Sequence, residues 1–133
     1  MRGGWPPAIA GSCYLLVAVA VTALLWRDPA VRITAGNPHD ADQAAWFMRY
    51  GSTAISHLRL PRIVTTKLGA PTGVNLMWNT PIFLLSLLLS PVTLLWGPQV
   101  SLTLVLTLGF AGSAFALFWV LRSWGCGVIV DPD

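Results

Sequence analysis

Charge is what this 133-residue chain has least of. Only 10% of its residues are Asp, Glu, Lys or Arg, against 55% hydrophobic, and the mean hydropathy is +0.67. A soluble domain carries roughly 25% charged residues. So few charges cannot furnish a water-facing surface, and lipid is the solvent that the composition implies. Cysteine is nearly absent too. Cys13 lies in an apolar run and Cys126 near the end of the chain, and two cysteines so placed give neither a disulfide framework nor a metal-ligand spacing. Internal repeats and low-complexity tracts are also missing. Acid is scarcer than base, five residues against eight, for a formal net charge of +3. Six of the eight basic residues fall within 27–80. That clustering points to lipid headgroups or a phosphate-bearing ligand, and away from nucleic acid.

What is present in quantity is apolar sequence, in three runs. Residues 8–26, AIAGSCYLLVAVAVTALLW, contain no charge and have Trp5 and Trp26 at their edges. A helix of that length roughly crosses the ~30 Å hydrocarbon core, with tryptophans at the interfaces. A cleaved signal peptide is the alternative, with Arg2 as its positive start and Val21-Thr22-Ala23 as a loose cleavage site. Residues 81–96, PIFLLSLLLSPVTLLW, form a shorter run, with Pro81 suited to open a helix and Pro91 to kink it. Gly97-Pro98-Gln99 then reads as a tight turn into 100–121, a full-length apolar run closed by Trp119, Arg122 and Trp124. The short turn makes the second and third runs an antiparallel hairpin. Gly109 and Ser113 have the small-xxx-small spacing that lets another helix approach.

The segment 27–80 carries Asp28, Asp40, Asp42 and the six basic residues. An Asp at bilayer mid-depth costs about 2.5–3.5 kcal/mol on insertion scales, so this segment belongs in water or at the interface. Within it, 41–58 reads as an amphipathic helix. Ala44, Phe47, Gly51, Ile55 and Leu58 form an apolar stripe that can lie in the headgroup boundary, with Asp42, Arg49, Ser52, Thr53 and Ser56 opposite. Pro61, Gly69, Pro71 and Gly73 then punctuate an irregular or hairpin-like connection. The sequence thus predicts an all-α membrane protein, a single membrane domain over 1–133. Three transmembrane helices would be joined by a long interfacial loop, containing the amphipathic helix, between the first and second spans. Residues 122–133 would form a tail. The expected location is the cell membrane, multi-pass.

Asp40 and Asp42 concentrate acid at the start of the amphipathic helix. Asp40 with Gln43 three residues on fits an N-cap and capping-box partner, and Asp42 suits the positive end of the helix dipole. A carboxylate at the water–lipid boundary also suits a general base towards a hydroxyl, and an Asp-x-Asp pair can share a divalent cation. His39 and His57 read as interfacial side chains.

The stretch DADQAAWFMRYGSTAISH, followed by GAPTGVNLMWNTPIFLLSLLLSPVTLLWGP, resembles the N-terminal portion of actinobacterial GT-C membrane glycosyltransferases. The likeness covers roughly residues 10–122, and GVNLMWN, residues 73–79, is its most specific part. It implies transfer of a sugar from a polyprenyl-phosphate donor to an acceptor on the outer face. Asp40 and Asp42 match the acidic position thought to serve as base or to hold a metal, Mg2+ or Mn2+. By position, Arg59, Arg62 and Lys67 would pair with the donor phosphate, and Asn75, Trp78 and Asn79 would line a sugar site. Headgroup binding or plain solvation is the alternative for the three cations, and a membrane-belt role for Trp78. GT-C enzymes have many more spans, so the resemblance implies a truncated or split product that works with other membrane subunits. The charge rule for short loops places 27–80 on the cytoplasmic side, whereas the resemblance places it outside. Two other functions compete. One is a small non-enzymatic subunit of a larger membrane complex. The other is a transport component, which the lack of an ionisable residue at mid-depth of any apolar run disfavours.

Overall fold

Proline and glycine decide where the helices of this chain begin and break. The computed structural model describes residues 5–34, 36–78 and 82–124. Helix α1, Pro7–Val21, opens with Pro7 at its first position, where a missing N–H costs nothing. It is interrupted at Thr22, and α2, Ala23–Trp26, adds one further turn. The Thr22 hydroxyl donates back to Ala18 O at 2.8 Å, a side-chain bond that competes with the helical ladder and bends it. Helix α3 is Pro38–Ser56, α4 Phe83–Leu88, α5 Ser90–Trp96 and α6 Pro98–Ser123. Two short antiparallel strands, β1 Val64–Thr65 and β2 Val74–Asn75, pair with Val64 opposite Asn75. A 3-10 turn, Leu76–Trp78, follows them. The chain is therefore mostly helical, with one small hairpin in the stretch that reads as an irregular or hairpin-like connection.

Contacts divide the chain into two units, one comprising residues 1–27 and 104–133, the other 28–103. In the first, hydroxyls hold the helices together. Thr22 Oγ1 lies 3.0 Å from Thr107 Oγ1, and Trp26 Nε1 donates to Thr107 Oγ1 at 2.9 Å. Arg122 Nη1 donates to Trp5 O at 3.0 Å, and the Phe115 ring lies against Gly11. Ala10, Ala18, Thr22 and Thr107 are buried, while Leu16, Val17, Val21, Leu24 and Leu117 are exposed. Small and hydroxyl-bearing residues inside, large aliphatics outside, is the reverse of a soluble core. In lipid it is the expected arrangement, because close packing and interhelical hydrogen bonds hold helices together there.

In the second unit, α3 packs on α4 and α5. Its buried face comprises Ala41, Ala45, Phe47, Met48, Gly51 and Ser52. Ser52 Oγ donates to Ser86 O at 3.2 Å and Ser86 Oγ donates to Phe47 O at 3.3 Å. A Cβ added to Gly51 would come within 2.6 Å of Ser86 Cβ, so glycine is what permits this approach. Nearby, Thr93 Oγ1 and Ser101 Oγ share a 2.8 Å bond, and both are fully buried.

Three differences from the sequence expectation have physical causes. The apolar stripe expected to rest on lipid is largely covered by protein: Phe47 and Gly51 face α4 and α5, while Leu58 lies beyond the helix and is 97% exposed. The run 81–96 is two short helices separated at Leu89. Pro91 lacks an N–H and its ring conflicts with the carbonyl four residues back, so one continuous helix is excluded. Pro81 lies outside the described residues. The turn expected at 97–99 contracts to Gly97, whose φ of +99° reverses the chain directly into Pro98 at the head of α6. Among the described residues, α6 is the one helix long and apolar enough to cross a membrane. Its 26 residues span about 39 Å. Only 6% of its most apolar stretch is buried, unlike the core helix of a soluble protein.

Gly51→Ala should push α3 from α4 and cost about 1–3 kcal/mol. It should lower the thermal midpoint of helical circular dichroism in detergent. Gly109→Ala, with open space around it, should not lower it.

A candidate anion site beside helix α3

The N-terminus of α3 is capped by Asn37, whose Oδ1 accepts from Asp40 N at 3.4 Å while its Nδ2 donates to Asp40 Oδ2 at 2.6 Å. Asp40 was expected to be the cap. It is instead the third helical residue of a reciprocal cap like the capping box, because Pro38 takes the first helical position and moves the start upstream. Asp40 and Asp42 are both exposed. Two residues apart on a helix, they leave it about 200° apart, so the structure does not bring them together for one cation. Among the described residues no group of three or more His, Cys, Asp or Glu is placed to hold a metal.

Asp42 lies one turn before Trp46, on the side of α3 that carries Trp46, Arg49 and Thr53. That side forms one wall of a cleft of about 580 Å³. The opposite wall is the chain that returns after the helix. Leu58, with φ +55°, reverses the backbone, and Arg59 N donates to Ala54 O at 3.0 Å. Tyr50 Oη donates to Arg62 O at 3.2 Å, pinning the returning segment to α3. The hairpin then fixes its far end. Gly73, at φ +78°, sits where a Cβ would meet Thr65 O at 2.9 Å, so the hairpin closes only with glycine there.

Arg49, Arg59, Arg62 and Lys67 line this cleft together with Trp46 and Tyr50. The two aromatic rings stack, 5.0 Å between centroids and 8° from parallel. Lys67 Nζ lies 5.9 Å from the centre of the Tyr50 ring, within cation–π range. Among the described residues no carboxylate lines the cleft, and no ion pair joins any of the four cations to an acid. His57 is also in the wall, its Nδ1 2.8 Å from Thr53 O. No family model, curated protein or solved structure matches the chain. The chemistry of the cleft is therefore that of its own groups. Three guanidinium forks and an ammonium, unopposed by acid, favour phosphate oxygens.

The three cations singled out in the sequence, Arg59, Arg62 and Lys67, thus share one cleft. Arg49 joins them. In the sequence it reads as a solvated charge on the polar face of the helix, and its signal is its position between Trp46 and Thr53 on one side. The residues assigned to a sugar site do not join them. Asn75 Oδ1 accepts from Met77 N at 3.0 Å and braces the 3-10 turn. Trp78 is 90% exposed, as a belt residue would be, and neither lines the cleft. Asn79 lies outside the described residues. His39 is exposed on the first turn of α3.

Asn37→Ala should destabilise the first turn of α3 by about 0.5–2 kcal/mol, and Asn37→Ser should recover most of that. Hydrogen exchange of the amides at 38–41 would read the effect.

Proposed function

We propose that the chain is a multi-pass membrane protein, a fragment or split part of a GT-C glycosyltransferase that uses a polyprenyl-phosphate-linked sugar donor. The apolar runs at 8–26, 81–96 and 100–121 are its membrane-embedded segments, and the cleft beside α3 holds the donor phosphate. The observation that carries this reading is that Arg49, Arg59, Arg62 and Lys67 line one cleft in which no described lining residue is acidic. The exposed aliphatic surface of α1 and α6 supports the lipid setting. Of the two aspartates, Asp42 is the better general base. It stands on the cleft side of α3 with its carboxylate free of the Asn37 cap, whereas Asp40 is held by that cap. As base it would take the proton of an acceptor hydroxyl as that oxygen attacks the sugar carbon and the phosphate leaves with the bonding electrons.

A second reading, a non-enzymatic subunit of a larger membrane complex, draws on a separate feature. An apolar groove of about 400 Å³ lies along Gly11, Gly112 and Phe115, and Gly112 has open space at its Cβ position.

The readings separate in one experiment on the full chain in lipid nanodiscs. Farnesyl phosphate should bind, and Arg62→Gln or Lys67→Gln should weaken it about tenfold or more, the worth of a charge-assisted hydrogen bond. Asp42→Asn should leave that binding unchanged while abolishing sugar transfer in the assembled complex. Wild-type transfer rates in both Asp42→Asn and Asp40→Asn would remove the catalytic assignment and leave the subunit reading.

A further inference from the structure

The cleft carries more positive charge than one phosphodiester can satisfy. A sugar joined to a lipid through a single phosphate presents one negative charge and two free oxygens. Even a terminal phosphate carries about −1.5 to −2. Against this stand Arg49, Arg59, Arg62 and Lys67, with no carboxylate among the described lining residues. Each guanidinium offers a planar fork that takes two oxygens, and the ammonium adds further donors. The cations come from different walls: Arg49 from α3, Arg59 and Arg62 from the returning segment, Lys67 from beyond β1. Their mutual repulsion falls with the negative charge placed among them. The volume, about 580 Å³, is that of a site for an organic ligand larger than one phosphate.

We infer that the cleft is built for a diphosphate, which even when esterified at both ends sets four free oxygens and two negative charges against these four cations. This rests on the reading of the cleft as a phosphate site and refines it from one phosphate to two. Two sources carry such a group: a lipid-linked diphosphate and a soluble nucleoside diphosphate. The rim favours the lipid. Leu60 lines the cleft and is 90% exposed, and Leu58 and Ile63, 97% and 51% exposed, stand next in the chain to Arg59 and Arg62. Aliphatic side chains set alternately with cations suit an amphiphile whose head enters the cleft and whose chain stays in the bilayer.

The test is titration of the purified full chain in detergent micelles, free of divalent ions and at fixed ionic strength. The probes are inorganic phosphate, inorganic pyrophosphate, geranylgeranyl diphosphate and ADP. Pyrophosphate should bind at least about tenfold more tightly than phosphate. Arg59→Gln and Arg49→Gln should each shrink that ratio while circular dichroism stays that of wild type. Geranylgeranyl diphosphate binding more tightly than pyrophosphate and ADP identifies the lipid source; ADP binding most tightly identifies the nucleotide source. Phosphate and pyrophosphate binding equally would overturn the diphosphate assignment and leave a monophosphate site standing. Binding of neither would overturn the phosphate site itself. The wild-type ratio decides the matter even if a variant fails to fold.

Discussion

The contact between Gly51 and Ser86 is the constraint on which the second unit depends. A missing side chain on α3 admits the Ser86 Cβ, and two hydroxyl-to-carbonyl bonds then lock the pair: Ser52 to Ser86 and Ser86 to Phe47. With α3 fixed on α4 and α5, its opposite side is free to carry Trp46, Arg49 and Thr53 as a wall. The same helix therefore has two distinct jobs, and its amphipathic pattern serves a protein partner on one side and a charged cleft on the other. Glycine and serine make the closest approach, and the buried Phe47 and Met48 fill the same face beside them, with the Phe83 ring next to Gly51.

Among the described residues, hydroxyl groups recur at three buried junctions. Thr22 with Thr107, Thr93 with Ser101, and Ser52 with Ser86 are each buried and hydrogen-bonded. Among the described residues no buried side-chain polar atom lacks a partner. Burial without a partner would cost several kcal/mol in hydrocarbon, so these pairs fix which helices can lie together and in what register.

Much of this was legible in the residues, and what was not has identifiable causes. The apolar runs read as helices, and Pro91 announced the interruption near Leu89 through its missing donor. Pro61, Gly69, Pro71 and Gly73 marked an irregular or hairpin-like connection, and the short strand pair falls within it. The cations at 59, 62 and 67 were singled out through the resemblance and their position, and all three line one cleft. Arg49 was not singled out, since it reaches them only after Leu58 reverses the chain. The cap was misplaced by three residues because Asp40-Gln43 satisfies the same rule as Asn37-Asp40, and only Pro38 distinguishes them. Asn75, placed at a sugar site only through the resemblance, accepts from Met77 N and lies outside the lining of the cleft. The partner of the α3 stripe was hidden, since periodicity tells that a face is apolar and not what covers it.

Lys67 has a significance beyond its charge. It is the only lysine in the sequence, and its ammonium rests over Tyr50 in the wall of the cleft. A single side-chain amine located there gives lysine acylation, read by peptide mapping, one defined place in the protein. The rate at which that amine is consumed then becomes a direct optical or mass-spectrometric gauge of whether the cavity is filled.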